Sequence, residues 1–132
     1  MKKNNNHTEY IIFNGSKFIL EWYFNSKGCS DALEYFDSLN DEEQIKTLGL
    51  FELMGNVGEI KNKTKFNFEG DKIFAFKPQP HRFLCFFFSG AKIIVTNAFH
   101  KKTDKLPANE KQRALKYKED YELRIERGEY YE

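Results

Sequence analysis

The sequence predicts one α+β domain, in which an N-terminal β-hairpin and a two-helix hairpin pack on a mainly antiparallel sheet that a C-terminal helix covers. Three observations predict this class: β-prone runs lie on both sides of a helical segment, the three later runs have short connections, and an amphipathic segment follows them. The chain has 132 residues, of which 40% are hydrophobic, which is enough for one core.

The first half of the chain is predicted to form a hairpin and two helices. Residues 10–13 and 16–24 are β-prone and flank Asn14-Gly15, a dipeptide that favours a type I′ hairpin turn. Ser30 is placed as the N-cap of a first helix, which Asn40 ends. Carboxylates in the first turn start a second helix, followed by a loop from residue 55. The expected buried side of this second helix consists of Ile45, Leu48, Phe51 and Leu53.

The second half is predicted to form three strands and a helix. Residues 65–77, 82–88 and 91–101 are β-prone and are separated by turn-forming residues, so they should pair as an antiparallel meander. The middle run, residues 82–88, has phenylalanines at both odd and even positions, so both of its faces should be covered, as in a central strand. Pro107 lies in the first turn of the last helix, and the element order is ββααβββα. The stripe that packs this helix on the sheet consists of Ala114, Tyr117, Tyr121 and Ile125.

The chain ends are predicted to lie outside the folded domain. Residues 1–8 form a flexible polar tail, residues 9–126 the domain, and residues 127–132 a C-terminal tail. The two cysteines lack metal-ligand spacing, so no metal and no other cofactor is expected. No apolar run has the length of a membrane span, and the cysteine usage suits a reducing compartment. We therefore expect a cytoplasmic protein with no membrane partner.

Charge is distributed unevenly along the chain. Residues 1–60 hold 5 lysines against 10 acidic residues, and residues 61–132 hold 16 basic against 10 acidic residues, which gives −5 and +6. Residues 61–118 hold 14 basic and 4 acidic residues, a net charge of +10. Lysines that only solvate an exposed surface would produce a similar pattern. The alternative is a surface that binds a polyanion such as a nucleic acid.

Residues 98–107 read Ala-Phe-His-Lys-Lys-Thr-Asp-Lys-Leu-Pro. This stretch resembles the Phe-x-Lys-Lys-Thr-x-Lys-x-Pro segment of the RelE/ParE toxin superfamily, particularly its HigB-like and phage-derived branch. Residues 30–39 resemble the first helix of that family, residues 72–77 its strand with a basic end, and residues 81–86 its arginine-led strand. The resemblance covers residues 17–121, and the order and spacing of the pieces are more specific than any one of them.

The resemblance implies a RelE-like fold and the toxin role of a type II toxin–antitoxin system. It implies an endoribonuclease that cleaves messenger RNA on the ribosome, and a partner antitoxin of the HigA-like type with a helix-turn-helix domain. A non-catalytic binding protein of the same fold is the alternative, either a ParE-like gyrase inhibitor or a phage adaptor. Only the first function requires catalytic groups.

Cleavage of RNA without a metal requires a base for the ribose 2′-hydroxyl, an acid for the leaving oxygen and cations for the phosphate. Arg82 is our first candidate, because its planar guanidinium suits bidentate phosphate contact; an ion pair with Glu69 or Asp71 is the structural alternative. Lys77 matches the basic strand end of the family. The remaining catalytic candidates are His100, as a proton donor, and Lys102.

Further cations are predicted to hold the RNA backbone. Lys101 and Lys102 alternate along a strand, so one should face the RNA and the other solvent or the last helix. Phosphate contacts of this kind add affinity and salt dependence but little sequence specificity. The predicted RNA-binding residues are Lys101, Lys105, Lys111, Arg113 and Lys116.

Overall fold

The computed structural model describes residues 9–131 and contains six strands and three helices in that part of the chain. Together they form the predicted α+β class. The elements, in chain order, are β1 (Ile11–Asn14), β2 (Ile19–Trp22), α1 (Asp31–Asp37), α2 (Asp41–Val57), β3 (Phe66–Phe68), β4 (Phe74–Phe76), β5 (His81–Phe88), β6 (Lys92–His100) and α3 (Ala108–Glu126).

All six strands belong to one sheet, in the order β1-β2-β6-β5-β4-β3. Four of the neighbouring pairs are antiparallel, and β2 pairs with β6 in parallel, from Ile19↔Lys92 to Trp22↔Val95. The sheet is therefore mainly antiparallel, as predicted. The central position of β5, between β4 and β6, is also confirmed.

Helices cover both faces of the sheet. Phe51 of α2 makes edge contacts with Phe83 of β5 at a centroid distance of 5.8 Å, whereas Tyr121 of α3 contacts Phe86 of the same strand at 5.5 Å. Residues 83 and 86 differ in parity, and side chains alternate between the faces of a strand. Hence α2 lies on one face and α3 on the other. No helix within residues 9–131 has the length and hydropathy needed to cross a membrane.

The N-terminal hairpin forms, but its turn differs from the predicted type I′ turn. Asn14 pairs with Ile19, and the connection has no residue with positive φ. The loop instead docks on α2, where the backbone amides of Lys17 and Phe18 donate to the carbonyl of Gly55 at 2.7 and 2.9 Å. A Cβ atom at Gly15 would lie 2.2 Å from that same oxygen. Glycine is needed here for close approach of the chain to α2, and the prediction of a positive-φ turn is wrong.

The helix starts follow the sequence, but the buried side of α2 does not. Ser30 caps α1 through its hydroxyl, and Asn40 forms a capping box with Glu43 at the start of α2. Ile45 and Leu53, both predicted as buried, are exposed. Leu53 is only two positions from Phe51, so the two side chains point to different sides of a helix. The side that faces the core consists of Thr47, Phe51, Met54 and Gly55.

The predicted strand over residues 65–77 is two strands. Gly70, Asp71 and Lys72 all have positive φ and reverse the chain between β3 and β4. The amide of Glu69 donates to the carbonyl of Ile73 at 2.8 Å and closes this turn. The observed order is therefore ββααββββα, with one strand more than predicted. The helix α2 also continues past the expected loop start, to Val57.

The chain continues to pack against the core after α3. Tyr130 is buried, its hydroxyl accepts a hydrogen bond from the amide of Phe24 at 2.8 Å, and its carbonyl accepts one from the Tyr10 hydroxyl at 3.2 Å. Tyr130 thus joins the core and Tyr131 packs against it, whereas residues 127–129 are exposed, in a segment that the sequence set apart as a tail. Residues 1–8 lie outside the described part of the chain. We use the name tyrosine cluster for Tyr10, Tyr23, Tyr121, Tyr130 and Tyr131.

Candidate functional site

A narrow cleft lies on the α3 face of the sheet, where β4 ends, β5 begins and β6 gives way to the loop before α3. Its volume is about 20 Å³, which is room for about one water molecule. Phe99 and Ala75 contribute its apolar lining. The charged side chains that line it are Lys77, Arg82, Lys101, Lys105, Glu69 and Asp104.

Strand register and one turn bring these side chains together. Arg82 pairs with Phe99 across β5 and β6, so both point to the same face of the sheet. The amide of Lys101 donates to the carbonyl of Pro80 at 2.8 Å, which fixes the loop after β6 against the turn before β5. The peptide bond between Gln79 and Pro80 in that turn is cis. Cations from three separate segments therefore meet at one cleft.

Arg82 lies in the cleft without a carboxylate partner. Its guanidinium donates to the side-chain oxygen of Gln79 at 3.3 Å and to the carbonyl of His81 at 3.0 Å. Within residues 9–131 no carboxylate lies within 4.0 Å of it, so the ion pair with Glu69 or Asp71 is not formed. Burial lowers the pKa of Arg82, and the nearby carboxylates of Glu69 and Asp104 oppose this shift. The guanidinium remains available to an anion.

Lys77 and Glu69 form a largely covered pair in the lining of the cleft. Their charged atoms are 4.0 Å apart, and their side chains are 17% and 18% exposed. Lys77 also donates to the carbonyl of Lys63 at 3.2 Å. From the sequence, Glu69 is expected only as a possible partner of Arg82, within one strand over residues 65–77. The sequence contains one signal that points to Glu69 as a cleft residue: it is an acidic residue near a strand end within the strongly basic segment 61–118.

Lys101 holds a carboxylate at the mouth of the cleft. Its ammonium is 2.7 Å from Asp104, whose side chain is 97% exposed. The hydrogen bond from Lys101 lowers the pKa of Asp104, and the charges of Arg82 and Lys77 lower it further. Asp104 thus occupies the place where an incoming anion would meet Lys101. Because the pair is exposed and screened by solvent, a phosphate can displace it easily.

His100 and Lys102 lie outside the cleft. His100 is opposite His81 in the ladder and therefore points to the sheet face that carries α1 and α2. Its Nδ1 atom hydrogen-bonds to the carbonyl of Lys101 at 2.9 Å, and its side chain is exposed. Lys102 is exposed as well and is not part of the cleft lining. Of the four predicted catalytic residues, the structure brings together Arg82 and Lys77.

The predicted RNA-binding cations fall into two groups. Lys101 and Lys105 line the cleft, whereas Lys111 is paired with Asp71 at 2.8 Å and ties α3 to the turn between β3 and β4. Arg113 lies 3.5 Å from Glu110 and, with Lys116, lines an open groove along α3. These last two cations continue a basic surface beyond the cleft without being part of it.

Tyr117 packs against the core and also lines the groove that contains Arg113 and Lys116. Its ring stacks on that of Tyr23 at a centroid distance of 4.7 Å, and its hydroxyl donates to Asp31 of α1. Burial and the Asp31 carboxylate raise the pKa of Tyr117 to about 12. The ring therefore has a packing role, and its remaining exposed part lines the open groove along α3.

A second polar network lies behind the cleft, on the opposite face of the sheet. His81 is buried, and its two ring nitrogens lie 2.7 Å from the Tyr35 hydroxyl and 2.7 Å from the Glu43 carboxylate. The hydrogen bond to His81 lowers the pKa of Glu43, whereas burial, followed by the Glu43 charge, raises the pKa of Tyr35. This network ties α1 and α2 to the start of β5, one residue before Arg82.

No group of three or more His, Cys, Asp or Glu side chains within residues 9–131 is arranged to hold a metal ion. Both cysteines are free thiols, with Cys29 exposed and Cys85 buried. Burial raises the pKa of the Cys85 thiol. The acid–base chemistry available at the cleft comes from carboxylate, ammonium and guanidinium groups.

The family model described as phage-derived protein Gp49-like (DUF891) matches residues 34–119, which are 86 of the 132 residues. The chain belongs to the Gp49-like family. This family is part of the HigB-like branch of the RelE/ParE toxin superfamily, so the resemblance is confirmed. The matched region contains every cleft residue of this Gp49-like protein. A search of curated proteins finds no match.

Proposed function

We propose that this Gp49-like protein is the toxin of a type II toxin–antitoxin system and cleaves messenger RNA on the ribosome. The observation that carries the proposal is the convergence of Arg82, Lys77, Lys101 and Lys105 on one cleft, in a member of a toxin family. Such a cluster neutralises a phosphate and stabilises the extra negative charge of its transition state. Action on ribosomes requires a cytoplasmic location.

Arg82 is assigned to the reacting phosphate. Its present acceptors, Gln79 and the His81 carbonyl, are neutral, so a phosphate offers it a stronger, charge-assisted hydrogen bond. Lys101 exchanges Asp104 for a second phosphate oxygen. Because the empty cleft is small, the phosphate enters as Asp104 swings outward. Lys105 extends the contact to the neighbouring nucleotide.

Glu69 and Lys77 are assigned to proton transfer. Glu69 accepts the proton of the ribose 2′-hydroxyl, and the 2′-oxygen attacks phosphorus. The bond from phosphorus to the 5′-oxygen then breaks, and Lys77 donates a proton to that leaving oxygen. The products are a 2′,3′-cyclic phosphate and a 5′-hydroxyl. Exchange of a proton with water restores the carboxylate and the ammonium group, so no metal, cofactor or second substrate enters the balance.

The experiment compares the wild-type protein with Arg82→Ala and with Lys61→Ala, a cation that is 86% exposed and lies outside the cleft. Each is expressed briefly without antitoxin, and growth, circular dichroism and the 5′ ends of cellular messages are measured. We expect growth arrest and new message ends inside codons for the wild type and Lys61→Ala, and neither for Arg82→Ala. Arrest by a folded Arg82→Ala protein would contradict the proposal, and intact messages with broken DNA would favour gyrase inhibition.

The toxin family implies an antitoxin as the partner of this chain. We propose a HigA-like antitoxin with a helix-turn-helix domain. Co-expression of the wild-type toxin with the reading frame next to its gene should restore growth and yield a complex of both proteins. A neighbouring protein that neither binds nor protects would count against this type of partner.

A further inference from the structure

Strand β3 is one edge of the sheet in the part of the chain that the structure describes, and it carries an exposed aromatic side chain. Phe68 is 55% exposed, and it is the one aromatic residue among the large hydrophobic residues that are exposed within residues 9–131. Its ring contacts Phe74 of β4 at a centroid distance of 5.1 Å, and Phe74 contacts Phe87 of β5 at 5.0 Å. A row of aromatic rings thus crosses three strands and ends in solvent at this edge.

The backbone of β3 also directs hydrogen-bonding groups away from β4. Lys65 and Glu69, which flank β3, form backbone hydrogen bonds of 2.8 Å with the two residues that flank β4. In an antiparallel pair, residues that bond to the neighbouring strand alternate with residues that do not, so Phe66 and Phe68 direct their backbone groups to the outer side. The amide of Phe66 donates there to the carbonyl of Asn62 at 3.1 Å. The carbonyl of Phe66 and both backbone groups of Phe68 are therefore in position to bind another strand.

The sequence of this edge is complementary to itself. Residues 65–69 read Lys-Phe-Asn-Phe-Glu. When Asn67 lies opposite Asn67 of a second, antiparallel copy, Lys65 lies opposite Glu69 and Phe66 lies opposite Phe68, once on each side of a two-fold axis. Opposite charges and aromatic pairs at directly opposing positions both stabilise a sheet. The amide of Phe68 then donates to the carbonyl of Phe66 in the other copy, and symmetry supplies the reverse bond.

We propose that two copies of the chain pair through β3 and form one continuous sheet. The occupant is a second copy because the edge complements its own charges, side chains and backbone groups at a single register. A two-fold axis at Asn67 uses both β3 edges, so this contact produces a closed dimer. Residues 65, 67 and 69 lie on the same side of β3 as the cleft, so Lys65 of one copy adds a cation beside Glu69 in the cleft of the other. The proposal depends on the edge and not on the proposed function.

A disulfide tests the register. The two copies of residue 67 would form a non-hydrogen-bonded pair with Cα atoms about 4.5 Å apart, a distance that a disulfide can bridge. Asn67→Cys and, as the control, Lys63→Cys are each combined with Cys29→Ser, which removes the exposed native thiol. We expect oxidised glutathione to link most Asn67→Cys chains into dimers and to link Lys63→Cys at least about tenfold more slowly, because the two copies of residue 63 lie beyond the reach of a disulfide. Lys63 is the more exposed position, so equal or faster linking of Lys63→Cys would overturn the register.

Sedimentation equilibrium measures the association directly. The apparent mass of the wild type should approach twice that of one chain as its concentration rises toward about 1 mM. Phe68→Ser should weaken the dimer by at least about tenfold, whereas Leu123→Ser, at a leucine of α3 that is 42% exposed, should leave it unchanged. Lys65→Glu should weaken it by about tenfold, because like charges then face each other on both sides of the axis. Lys61→Glu, which makes the same charge change at a side chain that is 86% exposed and outside the pairing, should have a smaller effect.

Three results would contradict the proposal: a wild type that stays monomeric up to about 1 mM, a Phe68→Ser variant that associates as tightly as the wild type, and an equal loss in Leu123→Ser. Circular dichroism checks the fold of each variant, and Lys65→Glu with the disulfide test decides the matter if Phe68→Ser does not fold. A monomeric chain whose Phe68→Ser variant no longer binds the product of the neighbouring gene would assign the edge to that protein instead. Message cleavage by a protein that stays monomeric would sink the dimer and leave the proposed function intact.

Discussion

Cations lie next to carboxylates both around the tyrosine cluster and in the cleft, but the contacts of these cations differ between the two regions. In the tyrosine cluster, Arg124 contacts Asp120 at 2.9 Å and lies 4.6 Å from the centroid of the Tyr130 ring. Lys92 likewise lies 3.3 Å from Glu21 and 4.2 Å from the Tyr131 ring. In the cleft, Lys77 and Lys101 are paired with Glu69 and Asp104, but Arg82 has only neutral acceptors among residues 9–131. The first region uses its charges to close the fold, and the second keeps one guanidinium available to a ligand.

The pKa values of the tyrosines agree with a structural role for the tyrosine cluster. Burial raises the pKa of Tyr23, Tyr121, Tyr130 and Tyr131 above the ordinary tyrosine value, so each hydroxyl keeps its proton even in alkaline solution. The Tyr131 hydroxyl can therefore donate to the buried Glu21 carboxylate, at 2.5 Å. A network with its hydrogen bonds satisfied stabilises one packing arrangement. The cleft, with its exposed Asp104, has no comparable constraint.

The largest expected effect is on the tyrosine cluster. Tyr130→Ala removes a buried aromatic side chain and should lower the free energy of unfolding by about 3–5 kcal/mol. Urea denaturation followed by circular dichroism measures this change. Leu123→Ala, at an exposed leucine of α3, should change it by about 0.5 kcal/mol or less. Similar values for the two variants would show that residues 127–131 do not contribute to the core.

In the cleft, Glu69→Gln should slow message cleavage by about 100-fold, which is about 2.7 kcal/mol of activation free energy. The amide cannot accept the 2′-hydroxyl proton, while its size preserves the packing. Single-turnover cleavage on ribosomes gives the rate, and anisotropy with a 2′-deoxy-substituted oligonucleotide gives affinity, which should not fall. An unchanged rate would mean that another group is the base.

Asp104→Asn should strengthen RNA binding by about two- to threefold, because Lys101 then reaches a phosphate without displacing an anion. Binding should also become more salt-dependent, with the logarithmic slope steeper by at most about 1. Titrations of an RNA oligonucleotide at several salt concentrations measure both quantities. Asp37→Asn, an exposed change on α1, serves as the charge-matched control. Equal gains in both variants would point to overall charge instead of the cleft.

The smallest expected effect concerns pH. The pKa of Glu43 is lower in the folded protein than its ordinary value of 4.5, because His81 hydrogen-bonds to the carboxylate. This interaction stabilises the fold above the unfolded pKa, and the stabilisation is lost as pH falls through the folded pKa. Glu43→Gln should therefore reduce the loss of stability below about pH 4.5. Urea denaturation at a series of acidic pH values tests this, with Glu42→Gln as the control; identical curves for Glu43→Gln and wild type would contradict it.

Local signals in the sequence predicted most of the fold. Ser30 and Pro107 mark helix starts through contacts within a few residues, and short turns allow only antiparallel neighbours in the meander. The buried side of α2 was misplaced because Ile45 and Leu53 are apolar, yet both point away from the core. The place of Tyr130 depends on residues more than 100 positions away, such as Phe24 and Tyr10, and no periodicity reports such a contact.

The candidate site was less accessible from the sequence than the fold. Arg82 and Lys77 were found through their positions beside a turn and through the family resemblance. The side of the sheet that His100 faces follows from its pairing with His81, and the sequence does not show which residues pair across the two strands. Glu69 lines the cleft next to the turn at residues 70–72, and that turn was missing from the predicted single strand over residues 65–77.

The parallel pair between β2 and β6 governs when the sheet can be completed as the chain is synthesised. Ile19 pairs with Lys92, which lies more than 70 positions later in the chain. The N-terminal hairpin therefore gains its neighbour in the sheet only after β6 has been synthesised. Lys101 and Lys105 leave the ribosome later still, followed by the helix that covers their side of the molecule. A chain that ends before β6 therefore lacks the strand that joins the N-terminal hairpin to the rest of the sheet, and it lacks Lys101 and Lys105 of the cleft. The strand order makes the complete sheet and the complete cleft properties of the whole domain.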